Sequence, residues 1–219
     1  MIILGIETAT KTTSVALCEE HRILGQFTTN TAQVHSKTLL PMIESLLNST
    51  KVALQEVDLF AVSCGPGSFT GVRIGMSVAK GFAVASEKPV AMISTLRGLV
   101  ENVLGLWVNQ RAIVCAVIDA RCSRVYSGIW QIDGEELVTL REEKITPIPM
   151  LQEELEEFGR KMKLLVVLVG DAASVCCGEK LFFVSGEFVA NPSAASVCKL
   201  AKDEKFWCKA SEAKPNYCI

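Results

Sequence analysis

Ser63-Cys-Gly-Pro-Gly-Ser-Phe-Thr-Gly-Val-Arg-Ile-Gly-Met-Ser-Val-Ala-Lys-Gly81 reads as a strand end, a tight turn and the start of a long helix. The apolar run Leu59 to Ser63 has the composition of a buried strand, and Gly65-Pro66-Gly67 is turn chemistry. Ser68 has the side chain of a helix N-cap, and the helix extends to about Ala85 before Pro89 closes it. Within it Gly71, Gly75 and Ala79 fall four apart and so share one helix face. Each interior glycine costs roughly 0.5–1 kcal/mol of helix stability relative to alanine. Close approach of another element would offset that cost, and the stripe fits an internal packing groove as well as a subunit interface. The loop Gly65 to Ser68 could also cradle a phosphate at the helix N-terminus. The P-loop pattern fails, because no lysine follows Gly71, and a turn with an N-cap accounts for the same residues.

Upstream, Ile2 to Glu7, Thr13 to Glu19 and Ile23 to Thr29 read as three adjacent strands of an antiparallel meander. Leu39, Leu40, Ile43, Leu46 and Leu47 then recur at helical spacing, with Pro41 admissible only in the first turn or two. Downstream, Val90 to Ile93 is a strand and Ser94 the N-cap of a helix running towards Leu104. From Arg111 the order restarts. Ile113 to Asp119, Val125 to Gln131 and Leu137 to Arg141 are strands, with Asp133-Gly134 as a hairpin turn. Met150 to Arg160 is helical, Leu164 to Val169 is a buried strand and Ala194 to Asp203 is a helix. The expected fold class is α/β, a duplicated unit of two mixed-sheet subdomains flanked by helices. The expected cut gives residues 1–108 and 109–219, the last helix packing back on the first part.

The 219 residues are 49% hydrophobic, enough for a full core, and carry a formal net charge of -2. There is no global positive field for nucleic acid, so contact with RNA would be local or supplied by a partner. Purely apolar runs such as Leu164 to Val169 are far short of the roughly 18 residues that span a bilayer. Met1 to Glu7 carries no basic segment of a signal peptide. The expectation is a soluble, cytoplasmic protein with no membrane association. Nine cysteines without a C-x-x-C pair read as mostly reduced, many of them buried as small hydrophobes.

Taken with His35-Ser36-x-x-Leu39-Leu40-Pro41-x-Ile43, the segment 63–81 resembles the TsaB (YeaZ) family. Ile118-Asp-Ala-Arg121 with Val125-Tyr126, and Lys214-Pro-Asn-Tyr217, extend the likeness over nearly the whole chain. The resemblance implies the actin-like, sugar-kinase and heat-shock-ATPase fold. It implies a non-catalytic scaffold subunit that pairs with the catalytic TsaD protein, together with the ATPase TsaE. That assembly places a threonylcarbamoyl group on adenosine 37 of tRNAs reading codons that start with A, so tRNA is met only through the complex. Family members associate through the two helices singled out above. The implied partner-binding residues are therefore His35, Leu39, Leu40, Ile43, Leu47, Gly71, Gly75, Met76 and Ala79, which would also serve a homodimer. On this reading a bulky residue at Gly75 weakens association and leaves the fold largely intact.

No catalytic residue is assigned, and no cofactor or metal of its own is expected. ATP or ADP, magnesium and a metal ion are expected on the partner subunits. Catalytic relatives hold a nucleotide with an acidic residue and glycine in phosphate turns. Here Glu7-Thr8-Ala9-Thr10 has alanine in place of that glycine, Asp119-Ala120-Arg121 again lacks it, and the late turn is Gly170-Asp171-Ala172. The nucleotide cleft near Glu7, Thr8, Asp119 and Gly170 therefore reads as degenerate. Glu7 and Asp119 either face that cleft or pair with nearby donors. TsaD-type relatives also bind metal through two histidines four apart on a helix. This chain has two histidines in all, His35 is followed four on by Leu39, and His21 lies in a different turn. Glu7 stands where aspartate is more usual in the family, and Arg124 where glutamate is expected.

Two other functions compete. A glycoprotease-like peptidase of the M22 type needs a general base or ligand set that two histidines do not supply. A small-molecule kinase of the same superfamily needs ATP affinity that the altered turns disfavour.

Overall fold

A computed structural model describes residues 1–31, 34–104, 110–134, 136–177, 182–184 and 186–218. Strands β1 (Ile2–Glu7), β2 (Thr13–Glu19) and β3 (Arg22–Thr29) form the antiparallel meander. β1 and β2 are buried on both faces, with apolar centres at Ile3–Ile6 and Val15–Cys18, whereas β3 at the sheet edge is exposed or half-buried. Helix α1 (His35–Thr50) follows, burying Leu39, Ile43 and Leu46 along one stripe, with Pro41 in its second turn. β4 (Leu59–Gly65) runs parallel to β1, and after α2 (Phe69–Ser86) β5 (Val90–Ser94) runs parallel to β4. Ser94 opens α3 (Thr95–Leu104), its Oγ accepting from the Arg97 N–H at 3.2 Å.

The same path is then walked again. β6 (Arg111–Asp119), β7 (Arg124–Asp133) and β8 (Glu136–Pro147) form a second antiparallel meander. After α4 (Ile148–Met162), β9 (Leu165–Val169) lies parallel to β6, and after the short α5 (Ala173–Cys176), β10 (Phe182–Val184) lies parallel to β9. A one-turn helix, α6 (Glu187–Ala190), precedes α7 (Ala194–Leu200), and β11 (Trp207–Cys208) comes last. The first sheet is ordered β11-β5-β4-β1-β2-β3 and the second β10-β9-β6-β7-β8. Without β11 the two orders are one topology used twice, so the duplication is a property of the backbone. The copies differ in trim: α2 has 18 residues where its counterpart α5 has 4.

The chain divides into one unit of Met1–Gly98 with Pro192–Tyr217 and another of Leu99–Asn191 with Cys218–Ile219. The expected cut at 108/109 lies outside the described residues, and the division comes earlier, after Gly98. The physical reason for the discontinuous first unit is α7. It buries Ala194, Val197 and Cys198 against Ile3, Ala16 and Cys18, which occupy one face of the β1–β2 ladder. The opposite face, through Leu4, Ile6, Val15 and Leu17, packs under Leu39, Ile43 and Leu46 of α1 and Met76 and Ala79 of α2. The second unit has its own core, Ile113, Cys115 and Val117 with Leu151 and Leu155 of α4. No helix among the described residues is long and apolar enough to cross a membrane.

Candidate functional site

The turn after β1 is closed by the chain's own groups. Glu7 is fully buried: one carboxylate oxygen takes a short hydrogen bond from the Ser63 hydroxyl, and Oε1 accepts from the Ala9 N–H at 2.6 Å. Removal from water pushes the Glu7 carboxyl up to about 7 from an ordinary 4.5, against the lowering effect of the Ser63 and Ala9 bonds. Ala9 O accepts from the Ser68 N–H at 2.6 Å, and Thr8 Oγ1 donates to Gly71 O at 2.8 Å. The Gly65–Ser68 loop is thus docked on the first turn. Two backbone donors of this region, Ala9 N–H and Ser68 N–H, are spent within the protein. Of the two accounts left open for Glu7, the geometry selects pairing with nearby donors. Ser68 caps α2 as its sequence implies, Oγ accepting from the Gly71 N–H at 3.2 Å.

In the second unit Asp119 is exposed, accepting from the Arg121 N–H at 2.7 Å, and its own N–H donates to Asp171 Oδ1 at 3.0 Å. Gly170 has φ +124°, and a Cβ there would strike Val117 O, so only glycine fits this turn. The carboxylates of Asp119 and Asp171 are both occupied by backbone N–H groups of neighbouring turns.

Helices α1 and α2 carry open apolar surface in the first unit. A groove of about 450 Å³ runs between them, lined by Leu40, Phe69, Thr70, Arg73, Ile74 and Val78. Phe69 is 56% exposed, Leu40 50% and Val84 68%, a large apolar display for helices of this length. At one end of the groove the Arg73 guanidinium lies 3.6 Å from the Phe69 ring centroid, and Tyr217 stacks on Phe69 at 5.5 Å. The tail that brings Tyr217 there is held by Lys80 Nζ donating to Ala213 O at 3.0 Å and by the Asn216 N–H donating to Cys64 O at 2.6 Å.

The residues named from sequence divide on this surface. Leu40 and Leu47 have open or half-open positions on α1. Leu39, Ile43, Gly71, Gly75, Met76 and Ala79 are all buried in the chain itself, although Leu39 still lines the groove. The correction has a plain cause. A Cβ at Gly75 would strike Thr8 Oγ1, and one at Gly71 would strike Thr8 O, so the small-residue stripe admits β1 rather than a neighbour. A bulky residue at Gly75 therefore disturbs the fold first. The stripe that does face outward is Ser77, Gly81 and Ala85, again four apart, and a Cβ at Gly81 would meet nothing within 4 Å. Periodicity alone gives two such stripes on α2, and burial decides between them. His35 is half-buried, its Nδ1 hydrogen-bonded to Thr13 Oγ1 at 2.7 Å, and His21 Nδ1 meets Lys202 Nζ at 3.2 Å. Phe69, Arg73, Ile74 and Tyr217 join this surface without having been marked by spacing, although Phe69, Arg73 and Ile74 stand inside the longest motif.

A family model described as TsaD: tRNA N6-adenosine threonylcarbamoyltransferase matches residues 22–214. Over 145 residues the chain is 38% identical to the tRNA threonylcarbamoyladenosine biosynthesis protein TsaB of Escherichia coli (strain K12). The chain belongs to the TsaB (YeaZ) family. That alignment covers 62% of this chain and 60% of the Escherichia coli protein, so it spans less than two-thirds of the relative's length. Among solved structures, YeaZ from Pseudomonas aeruginosa is similar with a TM-score of 0.80 and 27% identity, covering 99% of each chain. An inorganic polyphosphate/ATP-glucomannokinase from Arthrobacter sp. strain KM is similar with a TM-score of 0.53 and 11% identity, covering 92% of this chain and 98% of that one. That last likeness concerns fold alone. This TsaB-family chain has the duplicated actin-like, sugar-kinase and heat-shock-ATPase fold, two mixed sheets with flanking helices.

Proposed function

We propose that the chain is a non-catalytic partner subunit in the biosynthesis of threonylcarbamoyladenosine on tRNA. It docks through the outer face of α1 and α2 on a catalytic subunit of the TsaD type, which works with a TsaE-type ATPase on adenosine 37. The observation that carries this reading is a contrast within one unit. The turn after β1 uses its Ala9 N–H, and the facing loop its Ser68 N–H, inside the protein, while α1 and α2 present an apolar groove to solvent. Buried apolar area is the usual source of subunit affinity, and Phe69, Leu40 and Val84 supply anchors. ATP, magnesium and any catalytic metal then belong to the partners, and tRNA is met through them.

Reconstitution on unmodified tRNA with purified TsaD-type and TsaE-type proteins tests the reading. Modification should fall by at least an order of magnitude when this chain is omitted. Calorimetry of the isolated chain with ATP and magnesium should give no heat of binding. ATP turnover by the chain alone would replace this reading with a kinase.

A further inference from the structure

Cys18 on β2 and Cys198 on α7 meet on the sheet face that α7 covers. Cys18 stands opposite Ile3 in the β1–β2 ladder, and Cys198 Sγ lies 3.7 Å from both Ile3 O and Ala16 O. Both side chains belong to one buried cluster on that face. The approach is prepared by the backbone: a Cβ at Gly5 would sit 2.6 Å from Cys198 Sγ and 2.5 Å from Ala194 O. Glycine on β1 is what lets the helix bring a thiol this close to β2.

We propose that Cys18 and Cys198 are an oxidisable dithiol whose disulfide fastens α7 to the N-terminal sheet. The oxidant is hydrogen peroxide. The Cys18 thiolate attacks a peroxide oxygen, the O–O bond breaks, and the departing oxygen leaves as water with the thiol proton. Cys18 is then a sulfenic acid. The Cys198 sulfur attacks it, the S–S bond forms as the S–O bond breaks, and the hydroxide leaves as water with the Cys198 proton. Each sulfur gives up one electron, and the peroxide oxygens take both.

The order of events follows from position. Cys18 keeps 5% of its surface and Cys198 none, so the oxidant reaches Cys18 first. The hydrogen bond from Cys198, with help from the Lys202 charge, brings the Cys18 thiol below its ordinary 9.0, while burial pushes Cys198 up. Burial likewise pushes up Cys115, and pushes Cys176 to about 11. The link would join residues that lie far apart in sequence, which restricts the unfolded chain strongly.

The test is graded hydrogen peroxide on the full chain, followed by alkylation, digestion without reduction, and thermal unfolding. The expected result is a Cys18–Cys198 linked peptide, an intact mass lower by two hydrogens, and an unfolding temperature raised by several degrees. Dithiothreitol should reverse all three, C18S should abolish them, and C198A should leave a Cys18 sulfenic acid that dimedone traps. Oxidation of the exposed Cys122 or Cys177 while Cys18 and Cys198 stay reduced overturns the proposal. So does a linked peptide with no change in unfolding temperature. Peptide mapping of the unaltered chain decides the matter even where a variant fails to fold.

Discussion

Arg73 donates from Nε to the phenolic oxygen of Tyr217 at 2.8 Å, which joins the C-terminal segment to the outer face of α2. With Phe69 the three side chains make one exposed stack at the end of the α1–α2 groove. Such a stack contributes only about 0.5–1 kcal/mol while it is wet, and more once a partner excludes water.

Tyr217→Ala should therefore leave the isolated chain within about 1 kcal/mol of its original stability. Association with the TsaD-type subunit should weaken about tenfold, the equivalent of roughly 1.4 kcal/mol. Tyr217→Phe keeps the ring and loses the hydrogen bond, so it should fall between. Titration calorimetry with the partner reads the difference, and equal affinities for all three chains would remove the stack from the docking surface.

Two glycines of α2 should behave oppositely. Gly75→Leu drives a side chain into Thr8 and Ile6 and should lower stability by about 1–3 kcal/mol or more in denaturant titrations. Gly81→Ala points into open space and should raise stability by roughly 0.5–1 kcal/mol. Gly81→Leu should spare the fold and reduce association in sedimentation. Normal association by a stably folded Gly81→Leu chain would move the docking face elsewhere.

Glu7 makes a signed prediction with pH. Its carboxyl is raised in the folded chain, so its stabilising contribution is whole below the ordinary 4.5 and is lost as pH climbs through about 7. Glu7→Gln keeps a neutral group in place. The variant should match the original chain near pH 4 and exceed it above pH 7, by an amount on the order of 3 kcal/mol. Urea midpoints at a series of pH values check this; a gap between the two chains that stays constant with pH would mean that Glu7 is not a buried acid.

Gly170→Ala places a Cβ against Val117 O at a backbone angle that alanine resists, and should cost roughly 1–3 kcal/mol. Hydrogen exchange should show the loss in β6 and β9. Unchanged protection in those strands would mean that the turn relaxes without cost.

The meander, the α1 periodicity and the Ser68 and Ser94 caps were all legible in sequence, because each is set by near neighbours. Duplication was legible too, from the restart at Arg111, although the short α5 and β10 left little periodicity to read. The proposed docking face was not. Leu39 and Leu40 are equally apolar letters, yet one is 1% exposed and the other 50%, and only the position of the sheet separates them. The same holds for the inward stripe of Gly71, Gly75 and Ala79 and the outward one of Ser77, Gly81 and Ala85. Spacing identifies faces of a helix; it does not say which face the rest of the chain covers.

The return of α7 to the β1–β2 ladder has a consequence for synthesis on the ribosome. The N-terminal sheet emerges first, yet Ile3, Ala16 and Cys18 stay bare on one side until Ala194 to Leu200 leave the exit tunnel. The other unit, Leu99–Asn191, emerges in between and has its own core. The half that is translated earliest is thus completed late, and a nascent chain stalled before residue 194 would expose that apolar face to chaperones.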